Sequence, residues 1–144
     1  MKTDNTSFET FEEEGKEGNV VIMEQAGEEV TGVFLGEGRQ IGEGDKVIGT
    51  FAIRDLETGD LLILPKTAVL VSNVSLFASA IIDRKQTDVK HVIQVVYKGM
   101  KEGRKNAYRD YTLRARPAND DDLQILKPEE EAADIDYKNF VVKK

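Results

Sequence analysis

An all-β fold, a small five-stranded barrel with one short helix between the third and fourth strands, is what this sequence predicts. Three observations carry it. Short runs of alternating apolar and polar residues recur along the chain, rich in Val, Ile, Phe and Tyr. Gly-containing turns separate them, as between short antiparallel strands. One stretch, after Pro65, carries apolar spacing that suits a helix instead.

Taken in order, "NVVIMEQAGEEVTGVFLGEGRQI" offers two β-rich pieces, Val20–Met23 and Glu29–Leu35, followed by a glycine-rich connection. "KVIGTFAIRDL" reads as a strand, and Thr58–Gly59 as a tight turn before the next strand, "DLLILPK". Pro65 donates no hydrogen bond, so that strand ends there or lies at an edge. In "TAVLVSNVSLFASAIIDRK", Ser75 is placed to cap a helix of roughly ten residues, with Leu76, Ala80 and Ile81 on one face. "VKHVIQVVYKGM" and "KNAYRDYTLRARP" then form a hairpin about a Lys/Gly turn. This order of strands and helix is that of an OB-like barrel, with small SH3-like barrels and sandwiches as the alternatives.

Charge divides the chain into three. Residues 1–29 hold two lysines against nine acids, residues 30–118 hold fourteen basic residues against ten acids, and residues 119–144 hold four lysines against eight acids. The net charge of −7 therefore hides a basic body. The expected organisation is an acidic flexible segment over 1–19, the barrel over 20–117, and an acidic tail over 118–144 with too few apolar residues to fold. No apolar run reaches the ~18–20 residues that span a bilayer, and the acidic start lacks an apolar signal core, so no membrane role and a cytoplasmic location are expected.

Catalytic chemistry has little to work with. There is no cysteine, and His91 is the sole histidine, in a strand-like run that suits an exposed or hydrogen-bonded residue. "GEGRQIGEGDK" has the glycines of a phosphate loop but not its Lys-Ser/Thr ending. No enzyme activity, metal or cofactor is expected.

The densest feature is the hairpin. Residues 84–116 contain ten basic side chains and three acids. Alternation puts Tyr108, Asp110, Thr112 and Arg114 on one face, and Arg109, Tyr111, Leu113 and Ala115 on the other. On the partner strand His91, Ile93, Val95 and Tyr97 oppose Val92, Gln94, Val96 and Lys98. A basic groove with aromatic platforms is what non-specific single-strand binding requires. The competing reading makes the tyrosines core or cross-strand fillers and the basic residues a solvated surface.

With "EEVTGVFLG", "LFASAIIDRK" and "VIQVVYKGMKEGRKNAYRDYTLRAR" in place, the stretch from about Val20 to Arg116 resembles the small OB-fold single-stranded-DNA-binding proteins encoded by bacteriophages. The resemblance implies a replication or recombination accessory protein in the host cytoplasm. Its groove would include Tyr97, Lys98, Lys101, Arg104, Lys105, Tyr108, Arg109 and Tyr111. It also implies an acidic tail that recruits replication or recombination proteins and competes with DNA, here through Asp120, Asp121, Asp122, Asp134, Asp136, Tyr137 and Phe140. This sequence continues to "VVKK", where such tails carry acids and a terminal aromatic. Oligomers are compatible with the reading. A protein-interaction or virion-assembly module without nucleic acid is the alternative.

Overall fold

The computed structural model describes residues 18–142, so the acidic segment expected over 1–19 lies almost wholly outside the described residues. The described chain is mostly β, with strands β1 (Asn19–Val20), β2 (Glu29–Glu37), β3 (Thr50–Asp55), β4 (Leu61–Pro65), β5 (His91–Glu102) and β6 (Ala107–Pro117). They form one sheet in the order β1-β4-β3-β2-β5-β6, antiparallel except for the parallel β1–β4 pair. Helix α1 (Ala68–Asp83) lies between β4 and β5, and two short helices, α2 (Asp120–Leu123) and α3 (Pro128–Ala132), follow β6. No helix among the described residues is long and apolar enough to cross a membrane.

Strand β2 holds the sheet together by pairing twice, through residues 29–33 with β5 and through residues 32–37 with β3. A bulge between Phe34 and Gly36 lets one strand serve both partners, and Gly36 takes the positive φ of 94° that the bend needs. A second bulge at Tyr97/Gly99 (Gly99 φ 98°) re-aims the outer half of the β5–β6 hairpin.

The sheet is not closed by hydrogen bonds between β4 and β6. Residues 19–28 strap that gap instead. Val21 N–H donates to the Ile63 carbonyl of β4 (2.9 Å), the Met23 carbonyl accepts from Arg109 of β6, and Gly27 N–H donates to the Tyr97 carbonyl of β5 (2.8 Å). The expected all-β character is present, while the expected five-stranded OB-like barrel is found as a six-stranded sheet that is not closed.

Helix α1 is longer than the sequence suggests. It starts at Thr67, whose side chain accepts from Leu70 N–H (3.2 Å), and not at Ser75. Its buried face is Leu70, Val74, Phe77, Ala78 and Ile81, while Leu76, expected on that face, is 71% exposed. Val69 and Val71 in the first turns give the segment a strand-like look that hides the helix start.

The C-terminal segment is the main correction. Residues 118–142 are packed, not a loose tail. Leu126 and its neighbours cover Val33 and Val92 on one face of the sheet. Glu130 pairs with the buried Arg54 of β3, and Lys90 donates to the Ala133 carbonyl. Tyr137 and Phe140 then enter the core on the opposite face, where both rings pack on Phe34 (6.3 and 5.4 Å between centroids). Val142 N–H finally bonds Ser75 Oγ on α1 (2.9 Å). Few apolar residues suffice here because each fills a gap left by the sheet and α1.

Candidate nucleic-acid interface

The hairpin face pattern expected from alternation is present. Ile93, Val95, Tyr97 and Tyr111 point into the core, and the rings of Tyr97 and Tyr111 meet across the ladder at 5.4 Å. Beyond the bulge, Lys101 sits opposite Tyr108 and Met100 opposite Arg109. Tyr108 is 40% exposed, with its ring beside Gly103 in the turn. The two tyrosines three residues apart therefore divide, with Tyr111 buried and Tyr108 open to solvent.

The eight expected groove residues separate into three kinds. Tyr97 and Tyr111 are core, so neither presents a ring face to a ligand. Arg109 is a structural strut: its guanidinium donates to the Met23 carbonyl and lies 5.3 Å from the centre of the Tyr97 ring. Lys98, Lys101, Arg104, Lys105 and Tyr108 remain exposed, with Lys101 opposite Tyr108 in the ladder and Arg104 and Lys105 in the turn beyond the Glu102–Ala107 pair. Of these cations Lys101 is neutralised by Asp110 at 3.1 Å, whose hydrogen bond and charge raise the ammonium pKa above its usual value. Lys98, Arg104 and Lys105 have no ion-pair partner among the described residues.

One part of this surface is absent from the groove expected from sequence. Arg114 is exposed and continues the face of Tyr108, Asp110 and Thr112. It borders a depression of about 300 Å³ with Thr31, Val92, Gln94 and Arg116. The alternation of β6 already placed Arg114 on that face, but the partners on β2 and β5 depend on the register of the sheet.

The expected acidic tail residues do not form a free recruiting element. Asp122 is buried and grips Arg116 through two bonds (2.6 and 3.2 Å) while closing a capping box with Asn119. The arginine holds its carboxyl below the usual carboxylate range. Asp136 caps the turn Tyr137–Phe140 by accepting from Lys138 N–H (3.2 Å), and Tyr137 and Phe140 are core. Asp120, Asp121, Asp134 and Asp136 are the exposed acids of the set. Their fixed positions on a packed segment leave no free tail to reach into the hairpin.

No family model matches the chain, and neither a curated protein nor a solved structure matches it.

Proposed function

We propose that this chain is a non-enzymatic single-stranded-DNA-binding protein that holds the strand on the outward face of the β5–β6 hairpin. The observation that carries the reading is the exposed Tyr108 ring on the same hairpin as exposed Lys98, Arg104 and Lys105, cations with no ion-pair partner among the described residues. A base face stacks on an aromatic ring, while unpaired cations exchange counterions for phosphates. Arg114 and the depression beside it extend the basic surface along β6.

The element order supports the same reading. Strands β2 to β6, with α1 between β4 and β5, follow an OB-like succession, and we read the 19–28 strap as filling the seam of such a barrel. With the resemblance noted above, this suggests an accessory role in replication or recombination of phage type. Recruitment of partner proteins by the exposed acids of 118–142 is a weaker part of the proposal, because Tyr137 and Phe140 are committed to the core.

The rival reading, a protein-interaction or virion-assembly module, is favoured by exposed Leu76 and Ile22. Fluorescence anisotropy of labelled oligo-dT separates the two. The proposal expects binding at low salt that weakens as salt rises. Absence of binding at low salt hands the case to the interaction module.

A further inference from the structure

A second cleft lies away from the hairpin tip, between α1 and β6. It has a volume of about 290 Å³ and walls formed by Leu76, Phe77, Ala80 and Leu113. His91 lines it, only 1% exposed, and its Nε2 has no hydrogen-bond partner among the described residues. Such an orphaned buried atom requires an explanation, since nearly all buried polar atoms are paired.

The chemistry of that atom follows from its ring. The other ring nitrogen, Nδ1, faces the buried hydroxyl of Tyr137 at 3.5 Å. Nε2 therefore carries the ring proton or a bare lone pair according to the tautomer, and a hydroxyl, which both donates and accepts, serves it in either state. Phe77 and Tyr137 meet the imidazole edge-on (5.8 and 6.1 Å), which fixes its orientation. At the rim stand Arg84, which has no ion-pair partner among the described residues, and Arg116. Apolar walls, one unpartnered ring nitrogen at depth and cations at the rim define the complement of the site.

We propose that the α1–β6 cleft binds a small aromatic acid carrying a hydroxyl, with the ring between Leu76, Ala80 and Leu113, the hydroxyl hydrogen-bonded to His91 Nε2 and the carboxylate at Arg84. This ligand class follows from the cleft alone and does not depend on the hairpin binding DNA.

Because His91 is the sole histidine, its imidazole resonances are a unique reporter in the full chain. The test titrates three probes while recording the His91 ring nitrogens by NMR. They are 4-hydroxyphenylacetate, phenylacetate (no hydroxyl) and 4-methylphenol (no anion). The proposal expects a saturable shift of Nε2 with 4-hydroxyphenylacetate, with Kd on the order of 1 mM or tighter. Each of the two incomplete probes should bind about tenfold more weakly or worse, since a lost polar partner is strongly selected against. Arg84→Gln, at an exposed helix end, should abolish the advantage over 4-methylphenol, and Ala80→Phe should block all three. No saturable shift with 4-hydroxyphenylacetate in the wild-type chain overturns the proposal. So do equal affinities for the three probes, or unchanged binding in Arg84→Gln.

Discussion

Replacing Tyr137 with alanine tests whether the acidic C-terminal segment belongs to the folded body. Its ring is fully buried, with Phe34, Phe77 and His91 at 6.3, 5.8 and 6.1 Å between centroids. Burial is also what pushes its hydroxyl pKa up to about 12. Truncating a buried aromatic to alanine costs about 3–5 kcal/mol, against a total stability of about 5–15 kcal/mol for a domain. With a urea m-value near 2 kcal/mol/M, the unfolding midpoint should fall by about 2 M. Deleting residues 128–144 goes further, because it also removes Phe140 and leaves Arg54 buried without Glu130. That truncated chain should lose its cooperative transition, while Asp134→Asn, at an exposed site, should change nothing. The assay is urea unfolding followed by circular dichroism. A Tyr137→Ala midpoint equal to the wild type, or a cooperative 1–127 chain of undiminished stability, would refute the packing described above.

Three further outcomes follow. Asp110→Asn releases Lys101 from its ion pair, so oligo-dT binding should tighten and its salt slope steepen by up to about 0.7, the share of one phosphate on a single strand; an unchanged slope counts against Lys101 facing the DNA. Arg109→Ala should lower stability by about 1.5–3 kcal/mol through the lost bond to Met23 while leaving the salt slope in place, and a flattened slope in a fully stable variant makes Arg109 a phosphate contact after all. His91 has its pKa lowered from 6.5, first by burial, partly countered by the Val89 backbone, with the Arg84 charge lowering it further. The unfolded chain therefore takes up the proton first, so the His91 contribution to stability is complete above pH 6.5 and declines as pH falls from there toward the folded pKa. His91→Gln should remove that part of the pH dependence, as measured by urea midpoints from neutral to mildly acidic pH.

How much of this was legible in the sequence depends on the range of the interactions. The hairpin and its faces follow from local alternation, and Tyr108 and Tyr111 fall on opposite sides for that reason. The start of helix α1 is hidden because Val69 and Val71 resemble strand residues, and Thr67 caps it from outside the periodic stretch. Leu126, Tyr137 and Phe140 show no period at all. Each docks into a space defined by distant strands, which no local pattern describes. The same limit explains the site. Lys98, Arg104, Lys105 and Tyr108 are exposed as local reading allows, but the loss of Arg109 to the Met23 carbonyl is a contact across 86 residues.

The central claim is that exposed Tyr108 stacks a base on a surface whose unpaired cations take the phosphates. Its most direct measurement is a salt series of oligo-dT affinities for the wild type, Tyr108→Ala and the Arg104→Ala/Lys105→Ala double variant. Tyr108→Ala should bind more weakly by about 1–3 kcal/mol with the wild-type slope, and with unaltered thermal stability. The double variant should instead flatten the slope by about 1.4, two phosphates at roughly 0.7 each. Wild-type affinity in Tyr108→Ala, together with an undiminished slope in the double variant, contradicts the account.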